Sequence, residues 1–110
     1  MSDRNFNKLE KIFDHNYKLI NYFQRDITRF KILIIVIKNY HNNKLQTIEE
    51  LIDQIPKSLS SRAHKLNCIT EATNNNYFIK ETANSDMRKK YLKPSKLLLD
   101  EFELYLKSIV

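Results

Sequence analysis

Glycine does not occur anywhere in the 110 residues. A Gly-rich phosphate loop and the dinucleotide-binding fingerprint both need glycine for close approach of backbone to phosphate, so both classes of nucleotide site are excluded. Helix ends and tight turns that require a positive φ must then use Asn or Asp, which tolerate it best after glycine. Asn42-Asn43 and Asn74-Asn75-Asn76 are the candidates. Cysteine occurs once, as Cys68, which excludes an intramolecular disulfide and gives no sign of an oxidising compartment. The longest apolar run, Ile32 to Ile37, falls far short of the roughly 20 residues that span a bilayer. The opening stretch MSDRNFNKLEK is charged from its third residue and holds no apolar signal core. A cytoplasmic protein that does not span a membrane is therefore expected.

What is present is a globular balance, with 42% apolar and 29% charged residues. The length fits one domain on the usual scale of roughly 100–200 residues. The formal charge of +6 and a pI near 9.4 favour a polyanionic partner, either nucleic acid or an acidic membrane face.

Residues 4 to 24 read as one helix, with Phe6, Leu9, Ile12, Phe13, Tyr17, Ile20 and Phe23 at three- and four-residue spacings. A second helix is expected from about Thr28 to His41, buried nearly all round; periodicity alone does not separate ILIIVI from a buried strand, but its polar flanks and length favour the helix. TIEE, Thr47 to Glu50, is a capping-box start, and the helix TIEELIDQI should bury Ile48, Leu51, Ile52 and Ile55 before stopping against Pro56. Ser58 is expected to cap the next helix, whose inward positions would be Leu59, Ala63, Leu66 and Ile69 or Thr70. A short acidic helix, a tight turn and a longer basic helix make a helix-turn-helix layout. The segment Tyr77 to Glu81 and the segment RKKYLK then read as a two-stranded hairpin, and Ser95 caps a last helix with Leu98, Phe102, Tyr105 or Leu106, and Ile109 on one face. The fold class expected is mainly α (α+β): a winged helix-turn-helix with N- and C-terminal helices and a two-stranded β wing.

Charge is unevenly placed. Lys57 to Leu66 holds three basic residues and no acid, and Lys80 to Lys96 holds six basic residues against Glu81 and Asp86. The segments Thr47 to Ile55 and the last helix are net acidic. Positive charge thus gathers on the second helix of the pair and on the wing. A protein built to lie on a membrane would instead show one long basic amphipathic helix. Arg grips guanine through two hydrogen bonds, and short hydroxyls reach phosphates or base edges. Lys57, Ser58, Ser60, Ser61, Arg62, His64, Lys65 and Asn67 are therefore the candidate DNA contacts of that helix.

The order of elements resembles the MarR-type winged-helix transcriptional regulators. The wing carries the nearest likeness: Asp86-Met87-Arg88 stands where those proteins have Asp-x-Arg at the wing tip, followed by KKYLK and then Pro94-Ser95. TIEELIDQI and SLSSRAHKLNCI are similar to the two helices of the family's reading head. The likeness covers about residues 28 to 96. It departs in the Asn run that replaces a glycine between recognition helix and wing, in Pro94, and in a shorter chain with abbreviated terminal helices. The resemblance implies Arg88 in a minor groove with Asp86 orienting it, and Lys89 and Lys90 on phosphates. It also implies a homodimer on double-stranded DNA. The single domain 1–110 would then divide into a dimerisation helix over 1–26, a winged-helix core over 28–96 and a C-terminal helix over 95–110. Phe6, Leu9, Phe13, Tyr17, Ile20, Phe102, Leu106 and Ile109 are the expected interface.

Other chemistry finds little footing. Cys68 reads as a small buried hydrophobe rather than a redox thiol. His15, His41 and His64 are far apart in sequence without a second cysteine, so no metal or other cofactor is expected. Ser60-Ser61 with His64 lacks an orienting acid, and no enzyme is expected. A small-molecule effector fits the family, but no residue argues for one. The same layout also serves as a protein-interaction module or as a sequence-indifferent, architectural DNA binder.

Overall fold

In the computed structural model, residues 3–82 and 89–110 are described. Their elements run α1 (Asp3–Ile12), α2 (Lys18–Gln24), α3 (Ile27–His41), β1 (Gln46–Thr47), α4 (Ile48–Asp53), α5 (Arg62–Asn74), β2 (Phe78–Thr82), β3 (Lys90–Pro94) and α6 (Lys96–Ile109). The strands form an antiparallel sheet of order β1-β3-β2, with Gln46 opposite Leu92 and Phe78 opposite Pro94. No described helix is long and apolar enough to cross a membrane.

Helix α3 is the centre. Ile32, Leu33, Ile35, Val36 and Ile37 are all buried, and Ile34 alone of the run reaches solvent. The ILIIVI segment is thus helical, and α2, α4, α5 and β3 pack around it. Asp26 starts the helix: its carboxylate accepts from the N–H groups of Thr28 and Arg29, satisfying two donors that lack intrahelical partners. Four aromatic rings close the layer between α2 and the wing base. Phe23 lies 5.4 Å from Phe78 and 5.9 Å from Tyr77, and Tyr22 lies 5.0 Å from both Phe23 and Tyr77.

The single helix expected over residues 4–24 is two helices. Asp14 bonds through its side chain to the N–H of Asn16, an Asx turn that competes with helix continuation. The polar string Asp14-His15-Asn16 is the breaker. The N-terminus of α2 has no cap from its own neighbours; instead Glu101 of α6 accepts from the N–H of Ile20 at 2.8 Å. Tyr105 of α6 donates to the carbonyl of Ile12 at 2.7 Å, so both halves of the broken helix are tied to the last one.

The turns fall to asparagine. Asn43 and Asn76 are the positive-φ residues among those described, at 55° and 62°. Thr47, Ser61 and Ser95 cap α4, α5 and α6 by accepting from Glu50, His64 and Leu98. The cap of α5 is therefore Ser61 and not Ser58, because Leu59 N–H bonds back to Pro56 in a turn that occupies residues 57–59. The strands begin one or two residues later than their sequence pattern predicts. The two-residue β1 adds a third strand to what reads as a two-stranded wing.

The radius of gyration is 14.9 Å, with extents of 51 × 30 × 23 Å. A compact domain of this length would have about 13 Å. Helix α1 packs beside α6. Leu33→Ala, at a fully buried site, is expected to lower unfolding stability by about 3 kcal/mol. Urea unfolding should show a lower midpoint with an unchanged slope.

Candidate nucleic-acid interface

Helix α5 begins after a Pro56–Leu59 turn, with Ser61 as its cap. Of the expected inward positions, Ile69 is buried and Leu66 is half-buried against the core, but the inward face is turned by about one residue, roughly 100°, from the sequence reading. The buried positions are Lys65, Cys68, Ile69 and Ala72, while Leu59 and Ala63 are exposed. At 100° per residue the outward stripe directly opposite is Ala63, Asn67, Thr70 and Asn74, all exposed. Sequence reasoning found Asn67 and missed Ala63 and Thr70. The cap signal of Ser61, three residues before His64, could have located them.

Lys65 is removed from the set of contacts. It is 3% exposed, and its Nζ donates to the carbonyls of Ile55 at 2.6 Å and Ile52 at 3.5 Å. The Ile52 carbonyl belongs to the last turn of α4 and Ile55 follows that helix, where donors and positive charge are favoured by the helix dipole. Lys65 is thus a clasp between the two helices.

Three further candidates are engaged within the chain. Arg62 grips Glu49 of α4 through two hydrogen bonds, 2.9 and 2.5 Å long, on an exposed surface. That grip holds the Glu49 carboxyl below the usual carboxylate range and raises the Arg62 guanidinium. His64 meets Asp26 at 2.8 Å through Nε2. Ser61 is spent on the cap, and the Ser60 hydroxyl is buried without a partner among the described residues. Lys57, Ser58 and Asn67 are exposed.

On the wing, Lys89 and Lys90 are exposed, and Lys90 Nζ donates to Thr82 Oγ1 at 2.7 Å across the strand pair. Lys93 lies 3.8 Å from Glu81. Asp86 and Arg88, the expected tip, lie outside the described residues.

Beside α5, two polar groupings join it to α2 and α3. Tyr22 donates to Glu71 at 2.6 Å, Arg29 reaches both Glu71 oxygens at 3.1 Å, and the Arg29 guanidinium stacks 4.7 Å over the Tyr22 ring. Burial, followed by the bond to Glu71, pushes the Tyr22 hydroxyl up to about 12. The second grouping brings Asp26, His64 and Cys68 within 4.8 Å of one another. Burial raises the Cys68 thiol, and the Asp26 carboxylate adds to that; for Asp26 itself, burial is outweighed by bonds from His64, Thr28 and Arg29, so its carboxyl is lowered. No sequence spacing pairs Asp26 with a helix 38 residues away.

The expected dimer residues divide. Ile20 is fully buried and Phe102 is 7% exposed, both in the core of this chain, and Tyr17 packs edge-on to Tyr105 at 5.5 Å. These three are internal packing, since α2 folds back onto α6 once the first helix breaks. Phe6, Leu9, Phe13 and Leu106 remain exposed, and Ile109 is half-buried.

A helix pair on a buried third helix, followed by a hairpin with a third strand at its base, defines the winged helix-turn-helix. No family model matches the chain, and no curated protein matches it in sequence. Among solved structures, the heme sensor protein PefR from Streptococcus agalactiae, in complex with heme, is similar in fold. Its TM-score is 0.51 at 22% identity, over 96% of this chain and 70% of that one.

Lys65→Met should lower stability by about 2 kcal/mol, because it strands the buried Ile55 carbonyl, whereas the Ile52 carbonyl keeps the N–H of Ile55. The melting temperature is expected to fall by roughly 10 °C. Calorimetry without DNA would reveal it; an unchanged melting point would return Lys65 to the list of surface contacts.

Proposed function

We propose that the chain is a sequence-specific, double-stranded DNA-binding transcriptional regulator of the MarR type, working as a homodimer. The observation that carries this reading is the outward stripe of α5, Ala63, Asn67, Thr70 and Asn74, raised on a winged helix-turn-helix of net charge +6. The stripe is small and neutral, and Asn67 makes no internal hydrogen bond among the described residues, which suits close insertion into a major groove. Asn67 pairs with adenine through two hydrogen bonds, and the methyl groups of Ala63 and Thr70 meet thymine. Lys57, Ser58, Lys89 and Lys90 meet phosphates, which positions the helix without reading sequence. Asp86 and Arg88 complete the wing tip in this proposal, with Arg88 in the minor groove.

The homodimer is supported by the apolar residues left uncovered on the arm. Phe6, Leu9 and Phe13 are each more than half exposed, and Leu106 is 41% exposed. Pairing through this arm, the 1–26 and 95–110 segments of the domain, sets two reading heads one DNA turn apart, about 34–36 Å. No catalytic role is assigned: Asp26 and Cys68 approach the same nitrogen of His64, whereas a catalytic triad needs acid and nucleophile on opposite nitrogens.

Selection from a random duplex library at near-physiological salt tests the whole reading. Enrichment of a palindrome with half-sites about 10 bp apart is the expected result. Retention without enrichment, lost steeply as salt rises, would replace it with an architectural binder. No retention would leave a protein-interaction module. On the enriched site, Asn67→Ala should cost about 1–3 kcal/mol and relax preference at one base pair. Glu49→Gln releases Arg62 to a phosphate, so affinity should rise and the salt slope should steepen by about 0.9.

A further inference from the structure

We propose that Asp26, His64 and Cys68 form a binding site for a divalent metal ion of the zinc class. The site would hold the metal through one carboxylate, one imidazole and one thiolate, with water in the fourth position. The three ligand atoms lie within 4.8 Å of one another. His64 and Cys68 stand one turn apart on α5, and Asp26 comes from the corner that precedes α3. Carboxylate, imidazole and thiolate are the three ligand types that zinc takes in proteins.

Two geometric facts favour a metal over a simple hydrogen-bonded cluster. His64 Nε2 is shared, with Asp26 Oδ2 at 2.8 Å and Cys68 Sγ at 3.6 Å. A single ring nitrogen has one proton or one lone pair, so it satisfies only one of these neighbours. A metal ion between them accepts a lone pair from all three. Usual zinc bond lengths at a tetrahedral angle put sulfur about 3.6 Å and oxygen about 3.3 Å from the nitrogen, and about 3.6 Å from each other, where the structure holds all three atoms within 4.8 Å. The sulfur is already there, and the carboxylate needs to back away by roughly half an ångström.

The ligands are held ready. Asp26 Oδ1 is fixed by the N–H groups of Thr28 and Arg29, which leaves Oδ2 aimed at His64. Such support of a ligand by its outer neighbours is typical of metal sites. The thiol is buried at the floor while His64 and Asp26 are 46% and 30% exposed, so an ion enters from solvent and meets sulfur last. The cation beside the site is Arg29, whose charge Glu71 offsets through two contacts at 3.1 Å. Carboxylate and thiolate then balance a dipositive ion. Binding releases the thiol proton to water. This site requires only the three side chains and stands apart from the DNA reading.

Cobalt(II) reports on it directly. The reduced full-length chain, titrated anaerobically with Co²⁺, should develop sulfur-to-cobalt charge-transfer absorption and intense tetrahedral visible bands, saturating at one equivalent and displaced by Zn²⁺. Because Cys68 is the sole cysteine, any such charge-transfer band comes from it. His64→Ala and Asp26→Asn should each weaken Co²⁺ at least about tenfold; the Asn keeps an acceptor for the α3 cap, so the fold survives. Absence of the band in the parent protein would overturn the site, and so would a band of unchanged affinity in both folded variants.

Discussion

Everything in this fold answers to the burial of α3. A helix whose apolar residues point in nearly every direction has no face to give to water, so each side must be covered by another element. Here α2, α4, α5 and the base of the wing do the covering, and each is held at a fixed angle to the others by sharing one neighbour. Helix α5 and the hairpin are therefore positioned by hydrophobic contact with a common post. Their relative placement exists before any partner arrives.

Polar side chains supply the remaining geometry, and most of them act at helix starts. Thr47, Ser61 and Ser95 cap within their own segments. Asp26 and Glu101 reach further: one joins the start of α3 to α5, and the other lends a carboxylate from α6 to the bare start of α2. The second pattern explains how α2 persists at seven residues, a length that is marginal for a helix on its own.

Much of this layout was legible from the amino acids. The helical nature of ILIIVI, the Thr47 and Ser95 caps, the asparagine turns and the hairpin follow from rules that act over a few residues. The errors share a different origin. The phase of α5 turned on which of three serines caps it, a choice made by the Pro56 turn. The break after Ile12 was written in Asp14-His15-Asn16 but masked by apolar spacing that continues past it. Lys65 looked like a surface base because its two carbonyl partners lie in and just after another helix. Asp26 with His64 and Cys68 needed the chain folded, since no local rule relates positions 26 and 64. As a result the fold could be read more fully than the site.

The Lys65 clasp has a mechanical meaning. Two helices joined only by apolar packing slide over one another at little cost, whereas a buried side chain bonded to the terminal carbonyls of its neighbour resists both sliding and twisting. The helix pair then has the kinematics of a single rigid lever. A load applied to either helix is then carried by both, and α4 and α5 move as one body.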